Sequence, residues 1–303
     1  MFSPKTYEGI AHVYAPRLVA FERTRDPKNT SKSVLLWISG LGDGLLTVEY
    51  PTSIATALPA DWSLAQVLLS SSYTGWGTSS VHKDVAELAT CVEYFRSIKS
   101  GKIVLMGHST GSQDVIEYLS APGQRPHVDG GILQAPVSDR EALGFVMPAE
   151  VYEESVVIAK DMVAEGKGEE IVPTSVTQGV FGGVCCARRW LSLASPNHDG
   201  DDDFFSSDLT DEQLKQSFGS LSAKSPLCIL YSENDEYVPP SVDKEALVER
   251  WIEIAQSGTG GVDEVNSGIV KGGTHDMKGA PNDSVQDLVS RVIGFLKTLE
   301  APC

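Results

Sequence analysis

Residues 105–111 read Leu-Met-Gly-His-Ser-Thr-Gly and contain the pattern Gly-x-Ser-x-Gly. The apolar run Ile103 to Met106 leads into this stretch, and a segment with helical character follows it. A serine at such a strand-to-helix turn is forced towards positive φ, so its hydroxyl stands clear of the backbone, where a base can reach it. Gly107 and Gly111 have no side chains, so the strand and the helix can cross at these positions without a collision. The stretch therefore predicts that Ser109 is a nucleophile, with an ordinary Gly/Ser turn as the alternative.

The composition limits the class of protein. The 303 residues are 41% hydrophobic, which is ample for a sizeable core, and they carry a formal net charge of −17. That charge argues against a nucleic-acid partner and against an anionic membrane surface. We find no signal-peptide pattern and no run approaching the roughly 18 apolar residues of a membrane-spanning helix. The five cysteines show neither C-x-x-C pairing nor zinc-ligand spacing, so we expect free or buried thiols, no metal or cofactor, and a cytoplasmic location.

Strands and helices alternate along most of the chain. Runs rich in β-forming residues at 10–14 and 18–22 predict an opening antiparallel hairpin. Later apolar runs predict six strands at 34–38, 62–69, 103–106, 128–135, 227–231 and 265–270. The turn at residues 107–111 is called the elbow below. Helical spacing is found at 81–95, from the elbow to about 119, at 242–255 and at 285–299. This rhythm predicts one α/β domain over 1–303, with a mainly parallel central sheet flanked by helices.

The alternation lapses at about 140–222. A good amphipathic helix is predicted at 151–164, and Thr210 begins a capping-box sequence before another short helix. Because loops at the carboxyl ends of the strands carry function in this architecture, we predict that this insertion forms a cap over the catalytic face. The acidic run 199–203 within it does not have calcium-loop spacing, so a solvated loop is expected there.

An activated serine needs a base, and the base needs an acid that orients it. In the proposed architecture they come in the order Ser, Asp or Glu, His, each in a loop after a strand. His275 follows the last predicted strand and is the only histidine beyond residue 198, while Asp235 follows the strand before it. The sequence therefore predicts a triad of Ser109, Asp235 and His275.

Other residues remain alternatives for the acid. Asp139 follows an earlier predicted strand, where some hydrolases place the acid, and Glu233 and Glu236 lie beside Asp235. His108 is too close in sequence to Ser109 to serve as its base, and we expect it to fill space beneath the elbow.

The tetrahedral intermediate needs preorganised N–H donors for its oxyanion. We predict that the Thr110 amide is one donor and that the Leu41 amide, in the glycine-rich loop 39–44, is the second; a tight turn without an anion role is the alternative for that loop.

The residues predicted to contact substrate are Gly42, Trp76, Phe181, Arg188 and Trp190. Core packing is the alternative for Trp76 and Phe181, and a salt-bridged surface is the alternative for Arg188.

Three stretches carry a resemblance to a known family: residues 105–114 (LMGHSTGSQD), 131–141 (GILQAPVSDRE) and 231–239 (YSENDEYVP). Gln113, Asp114 and the run 134–141 (QAPVSDRE) lie outside the generic Gly-x-Ser-x-Gly pattern. The three stretches resemble a fungal α/β-hydrolase family of largely unknown function. Its best understood type is the intracellular siderophore esterase, which opens cyclic hydroxamate siderophores of the fusarinine C and triacetylfusarinine C kind. The likeness runs over nearly the whole chain.

The resemblance implies an α/β-hydrolase fold and assigns Ser109, Asp235 and His275 as the triad. It implies a small-molecule ester substrate, which could be a ferric siderophore. A general carboxylesterase or thioesterase is the alternative within enzymes, and a non-catalytic binding protein of the same fold is the alternative outside them. The oligomeric state stays open.

Overall fold

The computed structural model describes residues 5–23 and 31–300. Within them, eight strands form one sheet. These strands are β1 (Ile10–Ala15), β2 (Leu18–Arg23), β3 (Ser33–Ile38), β4 (Trp62–Val67), β5 (Ile103–His108), β6 (Gly130–Gln134), β7 (Leu227–Ser232) and β8 (Gly268–Val270). Their order across the sheet is β1-β2-β4-β3-β5-β6-β7-β8. The β1–β2 and β2–β4 pairs are antiparallel and the other pairs are parallel, which confirms the predicted α/β class and the opening hairpin.

Helices fill the connections between the strands. Their bounds are α1 (Tyr50–Ala57), α2 (Val81–Ile98), α3 (Gly111–Ser120), α4 (Asp139–Val146), α5 (Ala149–Ala164), α6 (Thr174–Thr177), α7 (Ala187–Ala194), α8 (Asp211–Ser217), α9 (Lys244–Ser257) and α10 (Asn282–Thr298). The Ser80 hydroxyl accepts from the Lys83 amide at the start of α2, and Thr210 forms the predicted capping box with Gln213 at the start of α8.

Alternate residues of the central strands face opposite layers. In β3, Val34, Leu36 and Ile38 pack into a core shared with α2, α3 and α9. Leu35 and Trp37 pack into a second core shared with α1 and α10. All six β3 residues are buried, as the continuous apolar run requires for a strand covered on both faces. The sheet is thereby packed on both faces, and the loops that follow β3, β5, β7 and β8 extend from its carboxyl-terminal edge.

The segment 140–222, called the cap segment below, divides into two parts. Residues between Leu143 and Ala194 form a hydrophobic cluster of their own around Trp190. Residues between Phe205 and Leu221 instead pack into the core beneath α9. One expectation here was wrong in part: Asp202, in the acidic run, is buried and pairs with the buried Arg189 rather than facing solvent.

No helix in the described ranges has the length and apolar character to cross a membrane. Cys91, Cys185, Cys186 and Cys228 are buried free thiols, and Cys303 lies outside the described residues.

Candidate active site

Ser109 lies at the tip of the turn between β5 and α3, with φ of 53°. A Cβ at Gly107 would lie 2.1 Å from the Gly111 carbonyl oxygen, and a Cβ at Gly111 would lie 2.5 Å from the Ile38 carbonyl oxygen. No real side chain tolerates such approaches, so both glycines are required by the packing of the turn against β3. The strained serine is held in place by its amide, which donates to the Gln134 carbonyl oxygen over 3.0 Å.

Ser109, His275 and Asp235 form a continuous chain of hydrogen bonds. His275 Nε2 lies 2.8 Å from Ser109 Oγ, and His275 Nδ1 lies 2.8 Å from Asp235 Oδ2. The three residues are 9%, 7% and 4% exposed, respectively. Each follows the carboxyl end of a parallel strand (β5, β7 or β8), which is why residues 166 positions apart in sequence meet. The structure thus brings together the three residues predicted to act as a triad.

The His275 ring experiences two opposed effects on its pKa. Burial lowers that pKa, but the negative charge and hydrogen bond of Asp235, with the charges of Glu236 and Asp276, outweigh it. The pKa of His275 is therefore raised above its ordinary value. A carboxylate that stabilises the imidazolium strengthens the histidine as a base towards Ser109.

His108, beside the nucleophile, is a different kind of histidine. Burial, with the nearby His275, lowers its pKa to about 3, so its ring is neutral near pH 7. Its Nδ1 is 2.6 Å from Gln134 Oε1, and its ring stacks on Trp37 with centroids 6.1 Å apart. The residue packs beneath the elbow and is fully buried.

The loop after β3 lies against the nucleophile. A Cβ at Gly40 would be 2.7 Å from Ser109 Cβ, so only glycine lets this loop come so close. Leu41 lines the cavity in front of Ser109, and Thr110 is the N-cap residue of α3. In the described part of the chain, the amides of Leu41 and Thr110 donate to no protein acceptor. Both are therefore available as donors to an oxyanion, which is the role predicted for them.

A cavity of about 230 Å³ opens in front of Ser109 and His275. Val137 and Ala142 form an apolar part of its wall, and Tyr237 packs edge-on against His275 with ring centroids 4.7 Å apart. The wall also contains four acidic residues, Asp43, Asp139, Glu236 and Asp276. This lining was not predicted, because its members follow four different strands and meet only in the folded protein.

Gln134 and Gln113 were also missed as site residues. Gln134 ends β6 and is fully buried between the elbow and the His275 loop. Gln113 Nε2 donates to Asp139 Oδ2 over 2.7 Å. Burial raises the pKa of Asp139 to about 7, and Asp139 has no hydrogen bond to His275. The available signal was their position in the family-like runs 105–114 and 131–141.

Four of the residues predicted to contact substrate do not line this cavity: Gly42, Trp76, Arg188 and Trp190. Trp190 is fully buried in the cap segment, where its Nε1 donates to Ser155 Oγ over 3.0 Å. Trp76 is buried against the same cluster, since the segment 183–185 closes over it. Arg188 is exposed and pairs with exposed Glu169 at 2.6 Å. Gly42 forms a turn with φ of 78°, and the side chain of Phe181 lies outside the described part of the structure.

The sheet order, the elbow and the loops at the strand ends define an α/β-hydrolase fold. A family model described as a protein of unknown function (DUF1749) matches residues 2–297. The chain therefore belongs to the DUF1749 family.

Relatives and a solved structure agree with that assignment. The chain is 38% identical to Esterase AN6793 of Emericella nidulans, over 98% of this chain and 94% of that protein. It is 37% identical to Fusarinine C esterase sidJ of Aspergillus fumigatus, over 96% of each chain. The structure of the siderophore hydrolase EstB from Aspergillus fumigatus superimposes with a TM-score of 0.85 at 36% identity, covering 99% of this chain and 100% of that one.

Proposed function

We propose that this chain is a carboxylic ester hydrolase that cleaves ester bonds of hydroxamate siderophores inside the cell, with Ser109, His275 and Asp235 as its catalytic triad. The observation that carries the reaction type is the hydrogen-bonded chain from Asp235 through His275 to Ser109 beside an open cavity. A binding protein gains nothing from holding these three groups in that arrangement.

In the acylation step, His275 Nε2 takes the Ser109 proton as Oγ attacks the ester carbonyl carbon. The oxyanion that forms accepts hydrogen bonds from the Leu41 and Thr110 amides, and the positive end of α3 adds to its stabilisation. Collapse breaks the bond to the leaving alcohol, which receives the proton from His275. Water then attacks the acyl-enzyme with His275 again as base, and the acid product leaves with Ser109 restored.

Support for a siderophore substrate comes from the relatives. Two of the proteins similar to this chain are named for a siderophore ester or its hydrolysis, and the similarity extends over almost the whole chain in both cases. The cavity of about 230 Å³ is smaller than the roughly 300–1,000 Å³ of pockets that enclose drug-sized ligands. One ester arm enters it, and the remainder of a cyclic siderophore stays at the mouth. Ester cleavage opens the siderophore ring that encloses the iron, and so lowers the affinity of the siderophore for the metal.

Two measurements test the proposal. A fluorophosphonate probe should label the wild type and a Ser100→Ala control, whose exposed serine lies far from the elbow, and should spare Ser109→Ala. Ferric fusarinine C is then incubated with each protein, and linear products are identified by mass spectrometry. Absence of labelling would reject the triad. Labelling with hydrolysis of simple acyl esters but not of the siderophore would leave a general esterase and reject the substrate.

A further inference from the structure

A tight turn fixes the Leu41 amide within the loop after β3 (residues 39–47, called the oxyanion loop below). The Asp43 amide donates to the Gly40 carbonyl oxygen over 3.1 Å, and Gly42 has φ of 78°. This is the pattern of a type II turn, which needs positive φ at its third residue. Leu41 is the second residue, so the turn does not use its amide. The position of that amide therefore depends on what holds the residues that leave the turn, 43–45.

Tyr73 contacts all three of the residues that leave the turn. Its amide donates to the Asp43 carbonyl oxygen over 2.7 Å, and its hydroxyl accepts from the Leu45 amide over 3.1 Å. Its ring lies against Gly44, where a Cβ would be 2.3 Å from two ring carbons. The backbone, the ring and the hydroxyl of one residue thus all act on the oxyanion loop.

Core packing does not explain a tyrosine at position 73. The residue is 44% exposed, so burial of its ring contributes little. Its φ is 58°, in the left-handed region that is unfavourable for a residue with a Cβ. Such backbone strain persists where the surrounding contacts require it, and it is common at functional sites. Among the described residues Tyr73 does not line the catalytic cavity, so its effect on catalysis has to pass through the oxyanion loop.

The segment that carries Tyr73 is anchored in the cap segment. Tyr73 begins a 3₁₀-helix (Tyr73–Thr78) that also contains Trp76. Trp76 is buried in the hydrophobic cluster around Trp190, and buried Arg189 donates from Nε to the Trp76 carbonyl oxygen over 3.2 Å. The tyrosine therefore contacts the oxyanion loop from a packed support.

We propose that Tyr73 is a positioning residue for the oxyanion hole. It holds residues 43–45 so that the Leu41 amide points at the oxyanion that forms when Ser109 attacks an ester. The negative oxygen exists only after attack, so this contribution is made in the transition state and not in substrate binding. The inference rests on the proposed ester hydrolysis and adds a residue to its machinery.

Removing the hydroxyl and then the ring tests the role in two steps. Tyr73→Phe loses only the bond from Leu45, and Tyr73→Ala also loses the contact with Gly44. We expect kcat on p-nitrophenyl butyrate to fall about threefold in the first and about 30-fold in the second, with KM within about twofold of the wild type. These losses are smaller than the 100- to 1,000-fold loss for a deleted oxyanion donor, because the amide is displaced and not removed. The control Tyr7→Phe, in a ring packed on Arg23 of β2, should change neither parameter.

A trifluoromethyl ketone reports the oxyanion directly, because it adds to a catalytic serine as a tetrahedral adduct with a negative oxygen. Its Ki should rise in proportion to the loss of kcat in both Tyr73 variants. Gly44→Ala should lower kcat in the wild type by displacing the ring. It should lower kcat much less in Tyr73→Ala, where the ring atoms that the new Cβ would meet are absent.

The inference is overturned if folded Tyr73→Ala keeps the wild-type kcat, if KM rises in place of the fall in kcat, or if Ki stays at the wild-type value. Equal effects of Gly44→Ala in the two backgrounds would overturn it as well. If Tyr73→Ala does not fold, Tyr73→Phe decides alone, and unchanged kcat and Ki in that variant reject the role.

Failure of the proposed ester hydrolysis would appear separately, as a wild type that neither reacts with the fluorophosphonate probe nor turns over the ester. Amide hydrogen exchange then decides the inference, because the Leu45 amide donates to the Tyr73 hydroxyl. The peptide that contains residues 39–47 should exchange about threefold faster in Tyr73→Phe than in the wild type or Tyr7→Phe. Equal exchange in the three proteins would show that Tyr73 does not hold this loop.

Discussion

The side chain of Gln134 donates from Nε2 to the carbonyl oxygen of His275 over 3.1 Å. Its Oε1 contacts His108, and its own carbonyl oxygen accepts from the Ser109 amide. One fully buried residue at the end of β6 thus connects the loop that carries the base to the turn that carries the nucleophile. The 2.8 Å contact between His275 and Ser109 depends on both of these loops holding their positions.

Gln134→Leu should therefore lower kcat about 10- to 100-fold and change KM little, because the ground-state pocket is kept while the Ser109–His275 alignment is lost. Gln134→Asn, which keeps an amide on a shorter chain, should lose less. Initial rates on a simple acyl ester give both parameters, and the rate of fluorophosphonate labelling reports the nucleophile directly. A loss of kcat matched by a general loss of folded protein, with normal activity per folded molecule, would contradict a positioning role.

Replacing the two candidate acids separately should distinguish them. Asp235→Asn leaves His275 without its carboxylate partner, and a comparable change in a serine protease lowers kcat about 10⁴-fold. Asp139→Asn should lower kcat less than about tenfold, because Asp139 contacts Gln113 rather than His275. Single-turnover rates on one ester, measured for both variants at the same pH, make the comparison. Equal losses would mean that both carboxylates serve the histidine.

The pH dependence should show the raised pKa of His275. The base must be neutral to accept the Ser109 proton, so kcat/KM falls as pH decreases through the folded-state pKa, which lies above 6.5. Asp235→Asn removes the leading cause that raises this pKa and leaves the burial that lowers it, so the acid limb should move to lower pH. A pH–rate profile of residual activity tests this. An acid limb that stays in place would assign it to another group.

The fold, and the meeting of Ser109, Asp235 and His275 at one edge of the sheet, could be predicted from local patterns and from the parallel topology. The run 34–38 is apolar at every position, and its residues are buried on both faces of the sheet. Gly107, Ser109 and Gly111 are fixed by contacts within a few residues of each other and with β3. The order of acid and base after successive strands then follows from the parallel topology.

The cavity wall could not be predicted in the same way. Asp43 and Asp276 lie in separate loops and Asp139 is the first residue of α4, so only the folded sheet edge brings them together. Trp190 was expected to contact substrate because a cap segment commonly supplies such contacts. In the structure it is instead the central core residue of a small helical cluster, a place that also suits a large aromatic side chain. Sequence alone does not separate those two outcomes.

Arg188 offers a test of the predicted substrate contacts. Its guanidinium is exposed and pairs with exposed Glu169, so Arg188→Gln should leave KM unchanged and should not measurably move the urea midpoint of unfolding. Arg189→Gln, the matched change at the next residue, leaves buried Asp202 without its ion-pair partner and should destabilise the protein by about 3–5 kcal/mol. Urea unfolding and steady-state kinetics on both variants are the measurements. A several-fold rise of KM in Arg188→Gln would return that residue to the substrate site.

Asp114 should affect the pH dependence of stability rather than catalysis. It is buried beneath the elbow, and its Oδ1 hydrogen-bonds to no group in the described residues. Burial, together with the charges of Asp84 and Asp202, raises its pKa well above the ordinary value, while Arg189 acts in the opposite direction.

A raised folded-state pKa means that the folded protein holds a proton that the unfolded chain releases. The contribution to stability is therefore complete below the unfolded pKa of about 4 and is lost as pH rises towards the folded pKa, by up to about 1.4 kcal/mol per pH unit. Asp114→Asn removes this ionisation, so its free energy of unfolding should decline less between pH 5 and pH 8 than that of the wild type. Urea unfolding across that range, with exposed Asp161→Asn on α5 as the control, measures the difference. Parallel curves for the wild type and Asp114→Asn would contradict a raised pKa for Asp114 in the folded protein.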